Sequence, residues 1–286
     1  MRSSRRDFLC GTVGAAAGLA FGPGVSRLAT AATARRAEIR IGACVVGLEQ
    51  GKQAGLAGVE VPVGGPADQL EISRPAVRRR YKEQMKETGI PISSLMMGLL
   101  NECALASDPR GPAWLEQSID AAADLGAKVI LVAFFANGDL LSADGRAKET
   151  DVASVVSRLK AAAPRAKDAG VILAIENYLN AEQNAMILDR VGHDSVKVYY
   201  DCYNTGATKG YDVPAEIRFL KHRIAQFHFK NGSDFLETGK LHFEPIAAAI
   251  KEIGYHGWIV LETSSPTGNA VADVKRNAEY VRKLFA

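Results

Sequence analysis

The chain has 286 residues and a formal net charge of +3 at pH 7. Six arginines and one acid fall within residues 1–36, a local charge of +5, so the remainder carries −2. A near-neutral body excludes an electrostatic nucleic-acid binder. Cys10, Cys44, Cys103 and Cys202 contain no Cys-x-x-Cys pair, which excludes a zinc–thiolate site and a disulfide framework and leaves buried free thiols.

The chain opens Ser4-Arg5-Arg6-Asp7-Phe8-Leu9, and an Ala/Gly-rich stretch runs over residues 11–20. Ala29-Thr30-Ala31 and Ala32-Thr33-Ala34 offer small-residue cleavage sites. The pattern resembles a twin-arginine export signal over residues 1–34 and predicts a periplasmic or secreted protein. Gly and Pro interrupt the apolar stretch, which is well short of the ~20 apolar residues of a membrane span. No stable membrane anchor is expected.

Residues 35–286 have the length of one eightfold β/α barrel, about 250 residues. Strands are predicted over 39–45, 58–63 and 91–97, with an amphipathic helix over 74–86 stopped by Gly89. A helix over 112–125 has Pro in its first turn and Gly126 just past its end. A strand over 128–134 follows, then a helix over 151–169, where Pro164 predicts a kink or a break. The fifth strand, 171–176, is a continuous apolar run, the signature of a strand buried on both faces in a parallel sheet. Helices over 181–191, 213–221, 244–253 and 273–285 separate and follow strands starting at 196, 224 and 258. The alternation predicts eight parallel strands joined through helices by right-handed crossovers. An open doubly wound sheet would carry a Gly-rich phosphate loop after its first strand, and Cys44-Val45-Val46-Gly47-Leu48 is not one. The expected fold is a single-domain (β/α)8 TIM barrel.

Four successive strands run into a potential ligand. They end at Glu176, Asp201, His228 and Glu262, separated by 25, 27 and 34 residues, each about one β/α unit. In a closed barrel, neighbouring strand ends about 4.8 Å apart can aim these groups at one point on the C-terminal face, where barrel active sites lie. Three carboxylates and one imidazole form a mostly hard donor set. It suits Mn²⁺, Mg²⁺ or Co²⁺ better than a thiolate-loving metal, and Zn²⁺ ordinarily takes more nitrogen or sulfur. Glu60, midway in the second strand, faces the barrel interior if the parity holds, and a carboxylate there needs a partner. It is a candidate for contact with substrate or with the ligands. His242 follows the seventh strand on the same face and is a further candidate contact. His256 precedes the eighth strand on the opposite face and reads as structural, and Trp114 reads as packing.

Leu173-Ala174-Ile175-Glu176-Asn177, Tyr200-Asp201-Cys202-Tyr203-Asn204, Phe227-His228-Phe229-Lys230-Asn231 and residues 254–262 resemble the xylose-isomerase-like barrel superfamily. The closer likeness is to its sugar phosphate isomerase/epimerase branch, which includes ketose 3-epimerases, hydroxypyruvate isomerases and inosose dehydratases. The resemblance spans residues 35–286 and is strongest over 171–262. It implies a divalent metal held by Glu176, Asp201, His228 and Glu262, and for the epimerases an acid/base pair formed by the two glutamates. Glu182 matches a substrate-contacting glutamate of the ketose epimerases by spacing. Asn204 stands where those epimerases carry a histidine, a departure that bears on the substrate, and Lys230 is common in the wider family. A metal that polarises a carbonyl, with a glutamate on each side of the adjacent carbon, is equipped to move a proton between that carbon's two faces. Lys230 is a candidate to stabilise the negative charge that develops.

The expected partner is therefore a small sugar or keto-sugar, and homo-oligomer formation is left open. Three other readings use the same fold. Endonuclease IV-like enzymes carry a histidine-rich three-zinc site, whereas only one of the five histidines here lies at a strand exit. A lyase or hydratase acting on 3-keto-glycosides would use the same metal and bases, and an exported enzyme meets glycosides readily. A barrel that only binds sugar is the third.

Overall fold

The computed structural model describes residues 39–286. The proposed export signal lies outside the described residues. Eight parallel strands close into a barrel in sequence order: β1 (Arg40–Ala43), β2 (Gly58–Pro62), β3 (Ile92–Met97), β4 (Val129–Ala133), β5 (Ile172–Glu176), β6 (Val196–Asp201), β7 (Ile224–Phe229) and β8 (Trp258–Leu261). Closure is made by β8 on β1, with Arg40 opposite Trp258 and Ala43 opposite Leu261. The outer ring is α1 (Leu48–Gln53), α2 (Pro75–Thr88), α3 (Gly111–Leu125), α4 (Glu149–Asp168), α5 (Ala181–Val191), α6 (Val213–Leu220), α7 (Phe243–Glu252) and α8 (Ala270–Phe285). No helix among the described residues is long and apolar enough to cross a membrane.

The expected punctuation holds at the two predicted glycine stops. Gly89 and Gly126 cap α2 and α3 at φ 75° and 79°, a left-handed conformation that glycine adopts without a Cβ clash. Two details differ from the sequence pattern. The first helix is only six residues, too short to show a helical period. Helix α4 runs unbroken through Pro164. Pro164 and Lys160 are both exposed, so the carbonyl that loses its intrahelical partner faces solvent.

The strands divide the core into two layers. Side chains alternate along a strand, so one set points outward to the helices and the other into the barrel. Ile130, Val132, Leu173, Ile175, Val198, Tyr200, Phe227, Phe229, Ile259 and Leu261 belong to the large outer layer. Val129, Leu131, Ala133, Ala174 and Tyr199 form a small inner cluster. The interior also holds polar side chains: Glu60, Ser94, Gln226 and His228 are all buried. Gly58 keeps β2 close to its neighbours, because a Cβ there would meet the Pro91 carbonyl at 2.8 Å and the Trp258 ring at 2.7 Å.

Candidate metal centre

The inward parity carries straight into the site. Glu176 follows Ala174 on β5, Asp201 follows Tyr199 on β6, and His228 follows Gln226 on β7. Asp201 and His228 sit side by side in the register of β6 on β7. Glu262 lies just past β8, after the outward-packed Leu261. Ligand-type atoms of Glu176, Asp201, His228 and Glu262 all lie within 4.8 Å of one another. His228 Nδ1 stands 3.0 Å from Glu176 Oε1, 3.4 Å from Glu262 Oε2 and 4.0 Å from Asp201 Oδ2.

The loops that follow these strands are tied down locally. Asn180 and Gln183 cap α5 reciprocally, the side chain of each accepting the other's backbone N–H. Asn177 bonds Asn184 at 2.9 Å, pinning the exit of β5 to α5. After β6 the chain turns through a π-helical segment, Asn204–Thr208, and the Asn204 backbone N–H donates to Asp201 Oδ1 at 2.7 Å.

Asp201 Oδ2 is buried and has no hydrogen-bond partner among the described residues; Lys230 Nζ stands 3.1 Å away but outside hydrogen-bonding geometry. A buried carboxylate oxygen that makes no hydrogen bond can take a further positive partner besides Lys230. A cation at the convergence point would satisfy it. Three carboxylates and one imidazole therefore fit a hard divalent ion, on the chemistry of the donors and on this oxygen without a hydrogen bond.

For the protein alone, the group's electrostatics are uneven. Burial pushes the Glu176 carboxyl up to about 7 against the pull of His228. Burial opposes the charge of Glu262 too, but His228 and Lys230 outweigh it and hold that carboxyl below its ordinary value. Burial also raises Asp201, against the pull of Lys230. Burial would lower His228, yet Tyr199, Glu176, Glu262 and Glu60 together raise it well above its usual value. Lys230 is likewise raised despite its burial, by Asp201 and Glu262.

A cavity of about 240 Å³ opens over this cluster, with Glu176, Glu262, Asn204 and Lys230 on its polar side. Phe135 and Tyr178 line its apolar side and meet edge-on, ring centroids 4.8 Å apart. Asn204 and Lys230 are thus brought to the candidate ligands. Glu182 and His242 are not. Glu182 is exposed in the first turn of α5, and His242 is exposed just ahead of α7. Glu60 does point inward, but it lies on the far side of His228 from the carboxylate cluster, 3.1 Å from Nε2. Trp114 is fully buried and donates its indole N–H to Ala67 O at 2.7 Å, as packing requires. Sequence reading missed Ser94, Tyr199 and Gln226. Stepping back two residues from Asp201 and from His228, along the face each shares, would have found the latter two.

Fold and site together define a strand-end carboxylate–histidine centre on a (β/α)8 barrel. Residues 48–284 match the xylose isomerase-like TIM barrel family, and the chain belongs to it. It is 25% identical over 152 residues to a 2-epi-5-epi-valiolone 7-phosphate 2-epimerase of Actinoplanes sp., covering 52% of this chain and 54% of that protein. The chain thus spans about half the length of that relative. It is 26% identical over 223 residues to a ketose 3-epimerase of Arthrobacter globiformis, covering 72% of this chain and 74% of that protein. The solved structure of an L-ribulose 3-epimerase has the same fold, with a TM-score of 0.71 at 22% identity over 86% of this chain and 94% of that one.

Proposed function

We propose that the protein is a divalent-metal-dependent sugar isomerase or epimerase that moves a proton on a carbon adjacent to a carbonyl. The observation that carries this reading is the placement of Glu176 and Glu262 at one cavity, both within 3.4 Å of His228 Nδ1 and with Asp201 completing the group. The family membership and the epimerase activities named for both relatives support it.

Glu176, Asp201, His228 and Glu262 would hold the ion, with Mn²⁺ as the expected metal and Mg²⁺, Co²⁺ and Zn²⁺ as alternatives. When bound, it supplies positive charge at a substrate carbonyl oxygen. One glutamate takes the proton from the neighbouring carbon; the C–H electron pair becomes a C=C π bond and the carbonyl π pair moves onto that oxygen. The other returns a proton to the opposite face or to the adjoining carbon. Lys230, beside Glu262, faces the same charge. Phe135 and Tyr178 offer their rings to the apolar face of a sugar. The cavity is smaller than the ~300–1,000 Å³ typical of drug-sized sites, which suits one monosaccharide unit.

The test is turnover in D₂O with a panel of keto-sugars and 3-keto-glycosides. Deuterium should enter the carbon next to the carbonyl. Glu176→Gln and Glu262→Gln should each lower turnover by the ~10²–10⁴ that acid/base groups contribute. Rapid turnover without solvent deuterium would overturn the two-glutamate reading, and elimination products confined to the keto-glycosides would reassign the enzyme as a lyase.

A further inference from the structure

The ring of His228 is held from both ends, and only one end belongs to the candidate metal centre. Nδ1 faces Glu176, while Nε2 lies 3.1 Å from Glu60 Oε1. The second oxygen of Glu60 accepts from the Ser94 hydroxyl at 2.6 Å and from the Tyr199 hydroxyl at 2.9 Å. Both hydroxyls in turn accept from the Gln226 amide, at 2.7 Å and 2.9 Å. All five side chains are buried.

The proton directions around Glu60 Oε2 follow from counting. The two protons of the Gln226 amide go to the two hydroxyls. Each hydroxyl has one proton to give, and the acceptor the two share is Glu60 Oε2; for Ser94 it is nearer, at 2.6 Å, than the Ser93 hydroxyl at 3.3 Å. Turning the amide around would draw both hydroxyl protons to Gln226 and leave Glu60 Oε2 facing oxygens alone. Glu60 Oε2 thus accepts twice, and with Oε1 accepting as well the proton between Glu60 and His228 sits on Nε2. A neutral imidazole carrying its proton on Nε2 presents its lone pair at Nδ1, towards the three carboxylates. The Tyr199 ring packs on the imidazole with centroids 4.5 Å apart and limits its rotation.

We propose that Glu60 is a positioning residue, held by Ser94, Tyr199 and Gln226, that fixes the ring orientation and tautomer in which His228 offers Nδ1 to a divalent cation. The inference rests on the reading of Glu176, Asp201, His228 and Glu262 as a metal centre, and it removes Glu60 from the substrate contacts expected from the sequence. Outer partners of metal-bound histidines typically change metal affinity by about 10–100-fold.

The experiment is calorimetric titration of chelator-stripped protein with Mn²⁺, with circular dichroism as the check on folding. Glu60→Gln should weaken Mn²⁺ binding about 10–100-fold. If its amide faces His228, the proton is driven to Nδ1; if it faces the hydroxyls, their protons lose their acceptor. Glu60→Asp keeps the charge but shortens the reach, and should weaken binding as well. Tyr199→Phe removes one donor to Glu60 with little loss of volume and should cost about two- to tenfold. Wild-type affinity in Glu60→Asp beside weak binding in Glu60→Gln would reduce the effect to bare charge and overturn the positioning role. Should both Glu60 variants misfold, unchanged affinity in Tyr199→Phe overturns it. Wild-type protein that binds no divalent ion would refute the metal centre itself, a failure distinct from tight wild-type binding that all three variants share.

Discussion

Replacing Lys230 with Met removes the ammonium that stands 2.7 Å from Glu262 Oε2 and 3.1 Å from Asp201 Oδ2, while keeping an unbranched side chain of similar length. The Asp201 side chain is fully buried, and those of Lys230 and Glu262 are 19% and 33% exposed. Removing one partner of a buried ion pair costs about 3–5 kcal/mol; the solvent that reaches Glu262 places this case at the lower end, about 3 kcal/mol. At ~2–4 °C per kcal/mol for a domain of this size, the melting temperature of metal-free protein should fall by roughly 6–12 °C. A divalent ion supplies positive charge to the same carboxylates, so saturating Mn²⁺ should close more than half of the gap between variant and wild type. Urea and thermal unfolding, followed by circular dichroism in chelator and in Mn²⁺, measure both quantities. If Lys230→Met matches wild type in chelator, or is destabilised equally with and without Mn²⁺, the ammonium and the ion do not answer to the same carboxylates.

Asp201→Ala and His228→Ala should each lose most of the one bound divalent ion per chain, and full occupancy by elemental analysis in both variants would refute the four-ligand set. Burial pushes the Cys44 thiol up to about 11 and the Cys202 thiol well above its ordinary value. The expected buried free thiol holds at Cys202, whereas Cys44 and Cys103 are half-buried. Cys202 should therefore resist iodoacetamide at pH 7.5 in the folded protein and react on denaturation, as peptide mapping would show; rapid alkylation in the native state contradicts the packing around it. We also propose export through the twin arginines. Arg5→Lys with Arg6→Lys should trap uncleaved protein in the cytoplasm, and undiminished periplasmic protein on fractionation would refute this.

The candidate ligand cluster was legible because each member breaks a pattern. An apolar run buried on both faces stops at an acid or an imidazole, and in a barrel the only layer beyond the strands on that side is the site. The interior network was illegible for the converse reason. Ser94, Tyr199 and Gln226 lie inside strands, where single polar residues carry no periodic signal, and only closure of the barrel brings β2, β3, β6 and β7 within hydrogen-bonding reach. Glu60 showed half of the answer: parity turned it inward, while its partner lay 168 positions away. Spacing from a motif failed at Glu182, because the helix cap at Asn180 sets the phase of α5 and leaves that residue in solvent. Spacing succeeded in placing Asn204 at the cavity because the π-helical turn is anchored on Asp201 itself.

The distribution of the interior side chains also decides whether this barrel can be divided. All four candidate ligands come from the second half of the chain, β5 to the end of β8, so a fragment starting near residue 170 would hold a complete donor set on paper. The acceptor behind His228 does not travel with it: Glu60 and Ser94 belong to β2 and β3. Cut between β4 and β5, one fragment strands a buried carboxyl and the other strands an imidazole, a phenol and an amide. Each half separated from the other leaves this contact unmade, and recombining halves between relatives should succeed only where the incoming half restores both ends of the Glu60–His228 contact.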